Sequence, residues 1–452
     1  MIILHNATIV TAEKEAVGTI VIENGLITEV IYSDIEDYDF RVWKAQQNPE
    51  AEVVSLEGKW LMAGGIDAHV HFREPGLIHK ADMVTESRAA AAGGVTTVFD
   101  MPNTNPATVT NDALKNKIEA AEGRAIVNIG FHIGATNSNA DAICALVNAG
   151  DDETGLTSAD VAGVKVFMGS STGNMLVDES STLDRLFAIK GKPVLVHCED
   201  EATIKENLQK ATDTYGDDIP FEEHENIRSR RACIKSSITA LEKAIQYGTR
   251  LVLCHISTKE EMEMVRAAKL SNPQIIAETS CNYLWFSNED YSRLGSRVKC
   301  NPSIKTPDDR AALRKALAEG LVDTIGSDHA PHLLSEKNAK YTKAPSGLPS
   351  IQQSLPVLLT VAQEEEIPLT RIAAVFSENA SDIYGIKRGK IKEGYAADIV
   401  IFDKDKEFVV RNEDQHGRCG WTPYDGVTLK GWVDTVYVNG NVVLKGGKLN
   451  LD

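Results

Sequence analysis

The sequence has no excess of basic charge, no long hydrophobic run and no basic leader at its beginning. Its 452 residues carry a formal net charge of -18, whereas nucleic acids and anionic membranes attract basic patches. We therefore expect neither of these partners. No apolar run is long enough to span a bilayer, so we also predict no export or membrane segment.

Paired cysteines are also missing. The seven cysteines are scattered, odd in number and contain no Cys-x-x-Cys, which favours reduced thiols in a cytoplasmic protein over a disulfide framework. The remaining composition, 42% hydrophobic and 25% charged, is that of a folded globular protein. The length predicts at least two domains.

Both ends of the chain have the pattern of β-structure. Short β-rich runs are joined by two dipeptides that favour hairpin turns, Asn24-Gly25 near one end and Asn439-Gly440 near the other. We predict a small β-sandwich domain built from residues 1–54 and 385–452. The polar stretch 33–52 within it is predicted to be a loop or insert without chemistry.

Residues 55–384 alternate short apolar runs with amphipathic or Ala-rich stretches. Eight runs, each followed by a helix or loop, predict an α/β fold, a (β/α)8 TIM-like barrel with strands buried on both faces. An open doubly wound sheet is the alternative, but no Gly-rich dinucleotide fingerprint follows the first strand. The predicted strands are 60–72, 95–101, 126–133, 163–168, 193–198, 250–256, 274–279 and 322–328.

Polar side chains at the ends of these strands are candidates for chemistry, because TIM barrels carry their active sites at the carboxyl ends of the strands. Taken one at a time, each position has a structural alternative: the histidines could be ordinary hydrogen-bonded residues, and the lysine could be part of a salt bridge. Six polar groups that converge without a metal would leave buried donors and charges unpaired, so together they predict a metal site. The six are His69, His71, Lys165, His197, His255 and Asp328.

Three other side chains near the strand ends are predicted to be structural. His132, at the end of the third strand, is expected to be a hydrogen-bonded structural residue. Cys198 and Cys254 each neighbour a candidate ligand. Because successive strand side chains point to opposite faces, we expect both thiols to pack against the outer helices.

Several motifs together resemble one known family. They are Gly65-Ile66-Asp67-x-His69-x-His71-Phe72-Arg73-Glu74-Pro75-Gly76, Asp100-Met101-Pro102-Asn103-Thr104, Val-Lys-Val-Phe-Met-Gly around Lys165, Lys299-Cys300-Asn301-Pro302, Ser327-Asp328-His329-Ala330-Pro331-His332 and Lys392-Glu393-Gly394-x-x-Ala397-Asp398-Ile399-Val400. On these motifs, which extend over nearly the whole chain, the sequence resembles the dihydroorotase family of the amidohydrolase superfamily. The resemblance implies reversible hydrolysis and cyclisation between (S)-dihydroorotate and N-carbamoyl-L-aspartate in pyrimidine biosynthesis.

The resemblance also implies two divalent metal ions, usually zinc, that share a hydroxide. Burial favours the uncharged amine of a lysine, and Lys165 would then take up carbon dioxide to form a carbamate that bridges both metals. Asp328 would be the catalytic acid-base residue, which passes the proton to the leaving amide nitrogen. His69, His71 and Asp328 would hold one metal, and His197 and His255 the other.

Substrate recognition is expected to depend on Arg73. It lies two residues beyond His71, where a guanidinium can bind a carboxylate through two hydrogen bonds, and a surface salt bridge with Glu74 is the alternative. By the resemblance, the other substrate-binding positions are His71, with Asn103 and His332 at the carboxylate, and Asn301, Ser346 and Gly347 at the amide edge of the ring. The enzyme is expected to act on a small-molecule substrate. It is further expected to form a homo-oligomer, a dimer, and to associate with another pyrimidine-pathway enzyme.

Two other functions stay open. A hydantoinase, dihydropyrimidinase or allantoinase would share every metal ligand and differ in the pocket. Some bacterial dihydroorotases have an aspartate at the position of Lys165, and a lysine there is also typical of hydantoinases. A non-catalytic amidohydrolase-like scaffold is the third possibility, but all six ligand positions are filled.

Overall fold

Two sheets organise the chain in the computed structural model, which describes residues 1–32, 48–169 and 175–451. One is an eight-stranded parallel sheet that curves into a barrel, and the other is a nine-stranded mixed sheet formed from both ends of the chain. This confirms the predicted barrel with a second β-structure. The predicted insert at 33–52 lies outside the described residues, apart from positions 48–52.

The strands of the mixed sheet, numbered in chain order, are β1 (Ile2–Val10), β2 (Glu15–Glu23), β3 (Leu26–Tyr32), β4 (Glu52–Ser55), β5 (Trp60–Ala63), β14 (Ile399–Val409), β15 (Thr428–Val438), β16 (Asn441–Lys445) and β17 (Lys448–Leu449). Their order in the sheet is β17-β16-β15-β14-β5-β1-β2-β3, and β4 pairs with β1. The two predicted hairpin turns are present, with positive φ at Asn24 and Gly25 (50° and 77°) and at Asn439 and Gly440 (51° and 76°).

The barrel strands follow one another in chain order, each parallel to the next. All residues of most of these strands are buried, as near-continuous apolar runs predict. The strands are β6 (Gly65–Val70), β7 (Val95–Asp100), β8 (Asn128–Gly134), β9 (Gly163–Phe167), β10 (Val194–His197), β11 (Leu251–Leu253), β12 (Ile276–Thr279) and β13 (Thr324–Ile325).

The prediction of one strand over 60–72 is wrong, because the chain passes there from one sheet to the other. β5 pairs with β1 and β14, whereas β6 pairs with β7. The change of sheet occurs at Gly64 and Gly65, where a Cβ would lie 2.2 Å from Thr96 Cγ2 and 2.4 Å from Phe376 Cζ, respectively. Only glycine fits such close approaches. The domain boundaries at 54 and 385 stay a prediction. β5 belongs to the mixed sheet although it lies after residue 54, in the segment assigned to the barrel.

The barrel closes between β6 and the segment that follows β13. Val70 pairs with His329, and the His71 N–H donates to the His329 carbonyl over 2.8 Å. Nearby, the Asp67 carboxylate accepts the Ser327 N–H at 3.1 Å. This closure places the His-x-His motif of the first barrel strand beside Asp328 of the last.

Helices cover the outside of the barrel, and hydroxyl or carboxylate caps begin several of them, as Asp82 and Thr258 do by accepting the N–H three residues ahead. A π-helical turn at Ala374–Glu378 joins the last two helices. No helix in the described ranges is long and apolar enough to cross a bilayer. The helices are Met83–Ala92, Asn111–Ala121, Ala140–Ala149, Ser180–Phe187, Glu201–Tyr215, His224–Ile227, Arg230–Tyr247, Lys259–Lys269, Cys281–Trp285, Tyr291–Leu294, Pro307–Ala318, Leu334–Lys337, Ser354–Glu364, Leu369–Ala373 and Asn379–Tyr384.

Candidate metal centre and active site

The six predicted ligands meet at the carboxyl ends of the barrel strands. The ring centroids of His69 and His71 are 5.6 Å apart, that of His255 lies 5.2 Å from His69, and His197 lies 4.8 Å from His255. All but Asp328 are buried, and the Asp328 side chain is 15% exposed. The exposed fraction makes this carboxylate accessible from the cleft.

The first group of ligands consists of His69, His71 and Asp328. The Nε2 atoms of the two histidines lie 3.5 Å and 3.0 Å from Asp328 Oδ1. On the far side, His69 Nδ1 is 2.7 Å from Glu278 Oε1 and His71 Nδ1 is 2.7 Å from Asn103 Oδ1. Because both oxygens accept, each Nδ1 carries the proton and each Nε2 presents a lone pair to the centre. Metal-binding histidines are usually held in this way.

The second group is His197 and His255. The Nε2–H of His197 donates to Glu199 Oε2 over 2.9 Å, so its Nδ1 lone pair faces His255 Nε2 at 3.0 Å. Arg228 binds the same Glu199 oxygen. Burial alone would raise the pKa of Glu199, but Arg228 and His197 outweigh burial and hold it well below its ordinary value. The carboxylate therefore stays ionised and fixes the His197 tautomer.

The electrostatics of these residues suit metal ligands. Burial lowers the pKa of all four histidines. The pKa of His69 and that of His255 fall well below the ordinary value. Nearby positive charge lowers the pKa of each ring further. Burial alone would raise the pKa of Asp328, but the neighbouring rings of His71, His69 and His255 outweigh burial and hold it well below its usual range. Neutral imidazoles and a carboxylate fit a zinc-type ion, and three of the four rings, those of His69, His71 and His197, have an acceptor on their outer side.

Two of the predicted ligands have unusual backbone conformations. His255 has φ 39° and Asp328 has φ 47°, in the left-handed region that non-glycine residues rarely adopt outside strained functional sites. Each follows a short strand, β11 or β13. The turned backbone directs both side chains toward the barrel axis.

Lys165 is completely buried on β9, and its Nζ lies 3.4 Å from Cys254 Sγ. Within the described residues it forms no salt bridge, which removes support for an ordinary ion-paired lysine. The prediction that Cys254 packs against the outer helices is wrong, since its thiol points inward to Lys165. The left-handed turn at His255 ends the strand alternation on which that prediction depended.

The other two structural predictions agree with the contacts. Cys198 packs in the main hydrophobic cluster and interacts with Ser236 and Ser237 of an outer helix. The Nε2–H of His132 donates to the Ala68 carbonyl over 2.9 Å. Burial lowers the pKa of His132 to about 3, so this histidine is a neutral structural residue.

A small cleft opens beside Asp328 on the substrate side. All predicted substrate-binding residues except His332 line this cleft. His332 contacts Arg73 instead, with its Nε2 3.0 Å from a terminal nitrogen of the guanidinium. The cleft is lined by His71, Arg73, Asn103, Asn301, Asp328, Ala330, Ser346 and Gly347.

Arg73 is only 2% exposed, so the alternative of a surface salt bridge is wrong. Glu74 instead pairs with Arg124, at 2.6 Å. The Arg73 Nε–H donates to the Pro331 carbonyl over 3.1 Å, and no described carboxylate lies within salt-bridge distance of its guanidinium. Burial lowers the pKa of Arg73 to about 10, so it is still a cation at neutral pH and can bind an anion in the cleft.

The opposite wall of the cleft offers hydrogen-bond acceptors and a fixed loop. Asn301 Oδ1 is buried and has no hydrogen-bond partner among the described residues. Lys337 donates to the carbonyls of Pro345 (2.8 Å) and Gly347 (3.0 Å). Gly347 has φ 142°, and a Cβ there would lie 2.5 Å from the Ala330 carbonyl oxygen. The loop can therefore approach this closely only with glycine.

The sequence analysis missed the carboxylates that orient the ligands. Glu199 follows His197 by two residues, so strand alternation could have placed it beside that ring. Glu278 is a charged residue at the end of an apolar run, which is a weaker signal. Glu86 contacts His329, the residue after the predicted ligand Asp328, with its Oε2 2.7 Å from His329 Nε2. It is on a helix and has no local signal in the sequence.

Known proteins share this architecture. The sequence pattern of the amidohydrolase family matches residues 60–443. The chain is 33% identical to a dihydroorotase of Methanosarcina acetivorans over 90% of this chain and 84% of that protein, and 29% identical to an allantoinase of Desulfitobacterium hafniense over 99% and 96%. Its fold is similar to that of the L-hydantoinase (dihydropyrimidinase) from Arthrobacter aurescens, with TM-score 0.89, 25% identity and coverage of 100% and 97%.

These likenesses agree with the geometry at the strand ends. The closed barrel brings five of the predicted ligands together: His69 on β6, His71 after β6, His197 on β10, His255 after β11 and Asp328 after β13. The family match extends from the first ligand-bearing strand past the last. Because the family pattern matches most of its length, this chain belongs to the amidohydrolase family.

Proposed function

We propose that this protein is a dihydroorotase, a metal-dependent cyclic amide hydrolase that interconverts (S)-dihydroorotate and N-carbamoyl-L-aspartate. The observation that carries the proposal is the buried guanidinium of Arg73 in the cleft, without a carboxylate partner among the described residues. Dihydroorotate has a ring carboxylate that this cation can bind, whereas hydantoin, dihydrouracil and allantoin have none. Relatives named dihydroorotase support the same choice.

The resident cofactors in this proposal are two zinc ions. His69, His71 and Asp328 would hold one, His197 and His255 the other, and a carbamate on Lys165 would bridge them. The imidazole-rich donor set is of the type that zinc prefers. When bound, such ions lower the pKa of water and polarise a carbonyl oxygen.

The chain's own residues bind the ring and move the proton. Arg73 and Asn103 bind the ring carboxylate, and His332 holds the Arg73 guanidinium from outside the cleft lining. Asn301 Oδ1 accepts a ring N–H. Asp328 Oδ1 takes the proton released as water adds to the ring carbonyl and passes it to the leaving amide nitrogen. During ring closure it takes the proton from the attacking nitrogen and gives it to the oxygen that leaves as water. Its partial exposure to the cleft supports this role.

Hydantoinase or allantoinase activity is the second candidate. It is favoured by the fold similarity to L-hydantoinase and by the allantoinase relative. Such enzymes act on uncharged rings, so the two candidates make opposite demands on Arg73. The expected homodimer, the association with another pyrimidine-pathway enzyme and the cytoplasmic location stay predictions.

The test is a side-by-side assay of dihydroorotate, hydantoin, dihydrouracil and allantoin with wild type and Arg73→Met. We expect wild type to prefer dihydroorotate. Arg73→Met should lower kcat/KM for dihydroorotate by about a hundredfold or more, because an unpaired carboxylate in a buried site is costly. Arg124→Met is the matched control, since Arg124 pairs with Glu74 at the surface. A wild-type preference for an uncharged ring would reject the dihydroorotase proposal.

A further inference from the structure

Glu278 lies on β12, the barrel strand after His255 and before Asp328, and it is 1% exposed. Its Oε1 atom contacts two different ligand residues: His69 Nδ1 at 2.7 Å and the backbone N–H of His255 at 3.3 Å. His69 belongs to the first ligand group and His255 to the second. One oxygen atom therefore contacts both halves of the candidate metal centre.

The contact with His69 fixes the ring. A carboxylate oxygen only accepts, so His69 Nδ1 carries the proton, and Nε2 presents its lone pair to the centre, 3.5 Å from Asp328 Oδ1. Removing this acceptor would allow the ring to change tautomer or rotate. Second-layer partners of metal-binding histidines hold the ring in this way.

The contact with His255 fixes the backbone. His255 has φ 39°, a strained conformation that persists only where surrounding contacts hold it. Glu278 supplies two of these contacts, because its side chain accepts the His255 N–H and its carbonyl oxygen accepts the Ile256 N–H at 2.8 Å. The turn that directs His255 toward the barrel axis is thus held on both sides by one residue.

We infer that Glu278 is a positioning residue that couples the two halves of the metal centre, by setting the ring of His69 and the backbone turn of His255. The inference depends on metal binding at the proposed ligands and does not depend on the identity of the substrate. The competing role is direct metal binding, since ligand atoms of His69, Cys254 and Glu278 lie within 4.8 Å of one another. In that role Glu278 would itself bind a metal together with the thiol.

The experiment measures metal binding by the apoprotein in metal-buffered titrations with zinc, and with cobalt as a spectroscopic probe. Glu278→Ala should weaken the binding of both ions by about tenfold to a hundredfold, the usual loss on removing a second-layer partner. Glu278→Gln should restore part of the affinity, because its amide oxygen can still accept. Glu278→Asp keeps the charge but is one methylene shorter, so it should not hold both contacts. This variant keeps the test valid if the alanine variant does not fold.

Glu261→Gln is the matched control. Glu261 is equally buried but lies on the outer helix Lys259–Lys269, where it binds Ser237 and Thr258. We expect wild-type metal affinity for this variant. Unchanged affinity in Glu278→Ala, or a loss confined to one of the two ions, would overturn the coupling. A cobalt–thiolate absorption band that disappears in Cys254→Ser would overturn it as well and would instead make Glu278 and Cys254 ligands.

Discussion

Asp328 is the residue at which the proposed metal binding and the proposed proton transfer meet. Its left-handed backbone is held from the following residue, because His329 Nδ1 accepts the Ser350 and Ile351 N–H groups at 3.0 and 3.3 Å. The other ring nitrogen of His329 donates to Glu86. With every ring nitrogen of His329 bound, the turn at Asp328 cannot relax without breaking buried hydrogen bonds.

Asp328→Asn should keep the fold but lose turnover by about a hundredfold or more, the scale of general acid-base catalysis. The asparagine side chain has nearly the same shape but cannot take up the proton. Turnover and bound metal should be measured on the same preparation, so that loss of catalysis is separated from loss of metal. Near-normal rates at full metal content would remove Asp328 from the acid-base role.

Lys165→Ala should lose most of the bound metal and nearly all activity if a carbamate on Lys165 bridges the metals. A short carboxylic acid added with zinc should then restore part of the turnover, because it can occupy the vacated space and supply a bridging carboxylate. Elemental analysis and rate measurements with and without the acid check this. Trapping of substrate on Lys165 by borohydride would instead indicate a Schiff base.

At the level of elements, apolar periodicity predicted most of the barrel. The predicted eighth strand, 322–328, is only Thr324–Ile325 in the structure, since its end turns inward at Asp328. The first strand was predicted as one element because Trp60 to Val70 is nearly continuous in hydrophobicity although it crosses between two sheets. Hydrophobicity reports burial and does not report which sheet provides it.

The candidate site was predictable where residue types recur at strand ends, as with His69, His71 and Asp328. It was not predictable where a side chain contacts residues that only the tertiary structure brings close to it. Cys254 was assigned to the wrong face because a left-handed residue after a three-residue strand leaves no local pattern. Glu278 acts on residues more than twenty positions away in sequence, so no local spacing identifies it.

Asp309 joins three helices and provides a pH test of their packing. It accepts hydrogen bonds from Arg230 (2.7 Å) and the Lys259 N–H (3.0 Å), and it caps its own helix with Thr306. Arg230 and Thr306 outweigh burial and lower the pKa of Asp309 to about 2. Because this is below the unfolded value, its stabilisation is complete above about pH 4 and is lost as pH falls toward 2.

Asp309→Asn should therefore lower the free energy of unfolding by about 2 kcal/mol at neutral pH. Denaturant titrations from pH 7 to pH 3 should show the difference from wild type shrinking at the acid end. Asp141→Asn serves as the control, because Asp141 pairs with Arg185 at the surface with 83% of its side chain exposed. A pH-independent difference for Asp309→Asn would contradict the ionic origin of the effect.

At the scale of the whole molecule, the proposed ligands come from five barrel strands or the residues directly after them. A metal bound there stabilises the closed barrel against unfolding, by about 1.4 kcal/mol for each tenfold excess of metal over its dissociation constant. Chelation should lower Tm, and zinc should restore it in proportion to the logarithm of free zinc. A Tm that does not respond to zinc would contradict metal binding by the folded barrel.

The mixed sheet has a consequence for the newly made chain on the ribosome. β5 pairs on one side with β1, made just before it, and on the other with β14, where Trp60 lies opposite Phe402 and Ala63 opposite Ile399. The whole barrel is translated between these two partners. Throughout that interval one edge of β5 is open, and an open edge is a template for pairing with other chains. Nascent copies are therefore most prone to associate wrongly before residue 399 leaves the exit tunnel, and chaperones that cover strand edges would act in that interval.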